Sequence, residues 1–229
     1  MSLVQNKNIS NLRIAMIGSR NLEKVAAYSS QVGIYFDYCY QLAKAGVVMT
    51  SGLCLKGPDG LAQKAYAKAI DEGLASTSQL EVYVYDQSMI RKSPLPYKDL
   101  SIVMPDHLRN KRIELLRTVM TPSHIEACGP YALGMHQRNV HQILGFELNN
   151  PVDAVICWTP NGDVVGGTRT ALLLAQDAGI PIFNLGRPDQ DKVLEEIRQF
   201  LLDHNVVGVK DKDNVLQSLR KFLEEGELI

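Results

Sequence analysis

The residues best placed to do chemistry are Gly166-Gly167-Thr168, which open a helical pattern. The first N–H groups of a helix have no partner within it, and the helix dipole makes that end partly positive. Two glycines there remove side chains, so an anion can approach the bare N–H groups. Thr168 can cap the helix or hydrogen-bond a phosphate oxygen. A tight loop with an ordinary N-cap would use the same residues, so the motif alone does not decide. Gly18-Ser19-Arg20 is a second turn of this kind, between a strand pattern and a helix pattern. Ser51-Gly52 is a third Ser/Gly pair at a strand's end and is expected to border a ligand. None is a dinucleotide fingerprint, because G-x-G-x-x-G is missing, and no Walker A sequence occurs.

Other residue types extend the list. Arg20 and Arg138 carry guanidinium forks that suit phosphate or carboxylate groups bidentately, with a surface salt bridge as the plain alternative. Arg169 sits in a first helical turn, where a cation opposes the dipole, so a ligand phosphate or a subunit contact would explain it. Trp158, the only tryptophan, can stack on a base or fill the core. Asn161 and Asp163 suit ribose hydroxyls, and equally a turn. His136 is a candidate general acid or base, and equally a structural histidine. Asp59, after Gly57-Pro58, fits a turn. Tyr28, Tyr35 and Tyr38 fall at helical spacing and read as core and flank.

Alternating strands and helices must position these residues. Strand patterns fall at Leu12–Ile17, Val47–Thr50, Leu80–Tyr85, Ala154–Trp158 and Pro181–Leu185. Helix patterns fall at about Leu22–Ala45, Leu61–Glu72, His107–Met120, Tyr131–Asn149, Arg169–Ala178, Asp189–His204 and Asp211–Glu225. Ala154-Val155-Ile156-Cys157-Trp158 is short, apolar and not alternating, as a strand buried on both faces must be. The alternation predicts an α/β fold with a mainly parallel sheet. Right-handed crossovers and two half-sheets predict strand order 3-2-1-4-5, counted along the chain. A ligand crevice then lies at the switch between the first and fourth strands, with Gly18-Ser19-Arg20 beside Trp158 to Thr168. Asp86–Asp106, with Pro94, Pro96 and Pro105, reads as a long loop. Residues 1–11 read as a loose lead, 12–204 as one domain, and 205–229 as a helical tail covering the sheet or a partner subunit.

Composition narrows the function classes. The 229 residues are 45% hydrophobic and 21% charged, an ordinary globular balance long enough to bury a core. Lys+Arg 24 against Asp+Glu 25 gives no basic surplus that advertises nucleic acid. The densest basic stretch, Arg109-Asn110-Lys111-Arg112, reads as a solvated helix face. Cys39, Cys54, Cys128 and Cys157 form no C-x-x-C pair and match no zinc spacing. They read as buried free thiols, which fits a reducing cytoplasm. No apolar run approaches the ~18 residues of a membrane span, and no signal peptide is visible.

Three pieces resemble the DprA/Smf and LOG (lonely guy) superfamily of Rossmann-like proteins, often grouped as SLOG. They are Ile17-Gly18-Ser19-Arg20; Thr50-Ser51-Gly52 with Asp59-Gly60-Leu61-Ala62; and Met135-His136-Gln137-Arg138-Asn139 leading to Val164–Ala175. The run from Ile156 to Leu185 looks especially like the small DprA-like proteins of bacteriophages. The resemblance spans roughly Leu12 to Gly186. It implies a three-layer α/β/α Rossmann-like domain that binds a nucleotide or a derivative such as a nucleoside phosphate or an ADP-ribose-like molecule. It also implies association as a dimer. The ligand residues it and the chemistry together mark are Gly18, Ser19, Arg20, Ser51, Gly52, Asp59, His136, Arg138, Asn139, Trp158, Thr159, Asn161, Gly166, Gly167, Thr168 and Arg169. LOG members look like phosphoribohydrolases that cut the N-glycosidic bond of nucleoside monophosphates. Their helix Arg is similar to Arg138, and their phosphate loop to Gly166-Gly167-Thr168. Thr170 and Ala171 stand where their Glu pair is expected, which leaves Glu23, Asp59, Glu147 or Asp163 as substitute acids. DprA members look like single-stranded-DNA binders with an Arg-Asn pair similar to Arg138-Asn139. The net charge of -1 counts against that reading here.

Overall fold

The computed structural model describes residues 12–206. Six strands form one sheet: β1 (Arg13–Gly18), β2 (Val48–Gly52), β3 (Leu80–Val84), β4 (Ile102–Val103), β5 (Ala154–Trp158) and β6 (Ile182–Asn184). Their order is β4-β3-β2-β1-β5-β6, and every neighbouring pair is parallel. The expected fourth and fifth strands are β5 and β6, so the expected order is kept between β3 and β6. The difference is an additional edge strand, β4, beside β3.

Eight helices flank the sheet among the described residues: α1 (Ser29–Lys44), α2 (Pro58–Asp71), α3 (Gln87–Lys92), α4 (Arg109–Val119), α5 (Pro122–Ala127), α6 (Pro130–Leu144), α7 (Arg169–Asp177) and α8 (Gln190–Asp203). Strand side chains alternate between faces, and the two faces have separate cores. Ile14, Met16, Met49, Ile156 and Trp158 pack with Tyr35, Leu42, Ala65 and Ile197 from α1, α2 and α8. Ala15, Ile17, Val155 and Cys157 pack with Leu116, Val140, Ile143 and Leu172 from α4, α6 and α7. This is a three-layer α/β/α arrangement. All five residues of β5 are buried, because helices cover both of its faces.

The departures from expectation are local and have identifiable causes. The segment Leu22–Ala45 is not one helix: 3-10 turns at Arg20–Glu23 and Ala26–Tyr28 precede α1, separated by Val25 in an extended conformation. The stretch Asp86–Asp106 is not a plain loop. The Asp86 carboxylate caps α3 by accepting from the Ser88 N–H at 2.6 Å, and the chain then adds β4 to the edge of the sheet. α4 starts two residues after the expected His107, behind a 3-10 turn at Asp106–Leu108. Between α4 and α6, Thr121 caps the short α5, which the periodicity missed. α6 stops at Leu144 rather than Asn149, because Gly145 takes a φ of 78°. Residues 1–11 and the tail helix expected at 211–225 lie outside the described residues.

Candidate functional site

The site is built where β1, β2 and β5 end. Asp59, in the first turn of α2 and only 4% exposed, lies across the ends of β1 and β2. Its carboxylate accepts the Gly18 N–H at 3.3 Å, the Gly52 N–H at 3.2 Å and the Gln142 side-chain amide at 3.3 Å. Burial pushes its carboxyl above the ordinary range, while Arg138 and the two backbone N–H groups pull it down. Both strand-end glycines are packing glycines. A Cβ on Gly18 would lie 2.5 Å from the Trp158 carbonyl oxygen, and a Cβ on Gly52 would overlap the Arg138 guanidinium.

Arg138 lies flat on Gly52 and is 5% exposed. It donates to Cys54 Sγ at 3.3 Å and to Asn139 Oδ1 at 3.1 Å. Its Nε–H is buried and has no partner among the described residues. Burial presses the guanidinium down, but Cys54, Asp59 and Tyr131 outweigh it, and the group is held above its ordinary value and stays charged. Cys54 is pushed up by burial and by Asp59, against the pull of Arg138 and Arg20, so it is a thiol at neutral pH.

Asn139 carries the connection to the glycine loop. Its amide donates to the Gly167 carbonyl at 2.9 Å while its oxygen accepts from Arg138. Gly166–Thr168 form a 3-10 turn that runs into α7. No side chain caps α7, so Thr168 is not used as a cap. Gly166, Gly167 and Arg169 are exposed, and a Cβ on either glycine would meet nothing within 4 Å. Gly166 has a φ of 66°. Open space, an uncapped helix start and a buried cation thus adjoin through one side chain.

Several expected site residues serve the scaffold instead. Trp158 is 1% exposed, stands edge-on to Tyr28 at 4.7 Å, and gives its N–H to Gln31 at 2.6 Å, so its ring has no free face for a base. Thr159 is buried, and both its N–H and its hydroxyl are held by Asn184. Ser51 is buried and donates to the Met16 carbonyl at 2.8 Å. The Ser19 hydroxyl accepts from the Asn21 N–H at 3.3 Å and caps the first 3-10 turn. Arg20 remains exposed beside Gly57. Asn161 is an exposed turn residue with a φ of 57°.

His136 is half-buried, with Nδ1 2.8 Å from the Thr170 hydroxyl. Burial, then His124 and Arg138, lower its pKa, so it is neutral at pH 7. Thr170, standing where the resemblance expects a Glu, is therefore tied to that histidine. Among the substitute acids, Asp59 is bound on both oxygens, and Glu23 accepts the Gly57 N–H. Glu147 lies just past Gly145, which borders Arg13 at the opposite end of β1, and it pairs with His107. Asp163, exposed at the entry to the glycine loop, is the remaining one.

The basic stretch is not a uniformly solvated face. Arg112 is buried, donating to Gln137 at 2.9 Å and to the Pro105 carbonyl at 2.7 Å. Two thiols, Cys54 and Cys128, are half-buried rather than buried. Among the described residues, no group of three or more His, Cys, Asp or Glu could hold a metal ion, and no helix is long and apolar enough to cross a membrane. A cavity of about 720 Å³ lies elsewhere, against Met120, Thr121, Leu173 and Gln176. Its lining also includes Arg117, Thr118 and Asp177, and none of the residues marked from the sequence as ligand-binding takes part in it. Sequence reasoning did not mark Gln142 or Cys54, although Gln142 falls one helical turn after Arg138. Compared with models of known families, with characterised proteins and with solved structures, the chain matches none.

Proposed function

We propose that the crevice above β1, β2 and β5 binds the phosphate of a nucleotide or nucleotide derivative, in a protein of the DprA/LOG type. The observation that carries this reading is the Arg138–Asn139–Gly167 link. It sets a charged, buried guanidinium with an unmet Nε–H beside an uncapped helix start with no side chains over it. An anion there would satisfy the orphan donor and complement the helix dipole.

Binding is preferred to hydrolysis because three of the four substitute carboxylates are engaged or distant. A thermal-shift panel of nucleoside mono- and diphosphates, ADP-ribose and ribose 5-phosphate tests the reading. A ligand at 100 times its Kd adds about 2.7 kcal/mol of stability. Gly167→Asp, which places a carboxylate where the anion would sit, removes the response. A panel that shifts nothing sinks the proposal. Chromatography of the same mixtures reads release of free base, which binding alone does not produce.

A further inference from the structure

Tyr131 opens α6, two turns before Arg138, and positions seven apart lie on one helix face. It is 63% exposed. A single exposed tyrosine is ordinary, but this one is held. Tyr85, immediately after β3, stands edge-on to it, with ring centroids 5.7 Å apart and planes at 90°. Tyr85 in turn sits against Gly134, where a Cβ would lie 2.8 Å from the ring. Gly134 lies on the same side of α6, between Tyr131 and Arg138. β3 neighbours β2, whose Gly52 lies beneath Arg138. One side of α6 therefore carries, in order, an exposed aromatic ring, its aromatic brace and a buried cation with an unmet N–H. Seven residues of helix rise about 10 Å, the length scale of a nucleoside phosphate.

We propose that Tyr131, braced by Tyr85, is the stacking platform for the planar base of a nucleotide whose phosphate end points toward Arg138 and Gly166–Thr168. This rests on the nucleotide reading above and assigns the base end of the same site, the role Trp158 is too buried to fill. Stacking explains a preference for the base without fixing which base, since every base has a π-face.

Titration calorimetry of AMP, GMP, CMP, UMP and ribose 5-phosphate against wild type, Tyr131→Ala and Tyr131→Phe tests it. At least one nucleotide should bind wild type about ten-fold or more tightly than ribose 5-phosphate. Tyr131→Ala should erase that advantage and leave ribose 5-phosphate unchanged, while Tyr131→Phe keeps it. Equal binding of ribose 5-phosphate and all nucleotides by wild type, or undiminished nucleotide binding by Tyr131→Ala, overturns the platform and leaves the phosphate site standing. Wild type that binds none of the five overturns both. Because Tyr131 is exposed, its truncation leaves the fold intact, and Tyr131→Phe controls for the ring itself.

Discussion

The ends of β1 and β2 and the loop before α7 both carry glycines, yet they use them in opposite ways. Gly18 and Gly52 are filled positions: the Trp158 carbonyl and the Arg138 guanidinium occupy the space a side chain would need. Gly166 and Gly167 face open space. The first pair lets the scaffold close on itself, and Asp59 binds the resulting N–H groups. The second pair leaves a helix start unobstructed. Similar sequence signals thus divide into a packing device and an approach surface, and only the second has room for a ligand.

Four substitutions test that division, from the largest expected effect to the smallest. Arg138→Met removes the charge that offsets the burial of Asp59, at a cost of about 3 kcal/mol or more at pH 7 by urea denaturation. The sign with pH follows from Asp59, whose folded-state pKa is already raised and would rise further without Arg138. Protonation then favours the fold, so the variant's deficit should narrow as pH falls toward the ordinary carboxyl range. A deficit independent of pH would break the reading that the Arg138 charge offsets the burial of Asp59. Gly18→Ala, which drives a methyl into backbone and the Pro58 ring, should cost about 2–3 kcal/mol in the same assay. Gly166→Ala should cost about 1 kcal/mol, through its left-handed backbone alone. Gly167→Ala should stay within about 0.5 kcal/mol of wild type. If Gly167→Ala matches Gly18→Ala in the thermal midpoint, the loop is packed too and the contrast fails.

The sequence revealed the sheet because each strand leaves a local mark. Ala154–Trp158 is apolar throughout, and Gly46, Gly73 and Gly179 mark helix ends with positive φ. The edge strand Ile102–Val103 was hidden because two residues are too few to show a period, and Pro94, Pro96 and Pro105 around it signal a loop. The switch in strand order between β1 and β5 was legible, since it follows from order alone. The partition of its residues was not. Ser51, Thr159 and Trp158 stand at the right edge with the right chemistry, but Met16, Asn184 and Gln31 consume their polar atoms. Those partners lie 25 to 127 residues away, beyond any local spacing rule. Tyr85 and Tyr131 were invisible for the same reason: only the fold brings the end of β3 against the start of α6.

The central position of β1 has a consequence for assembly. Its partner β2 follows within one crossover, but the residues facing its other side come from β5, about 140 positions later. Loop closure over that distance is slow, so β1, β2 and β3 can pair while the far side of β1 is still an open edge. During synthesis that edge stays unsatisfied until Ala154–Trp158 emerges, and an open parallel edge invites pairing with another chain. The step that completes the crevice, docking of β5 on β1, is also the step that removes this hazard.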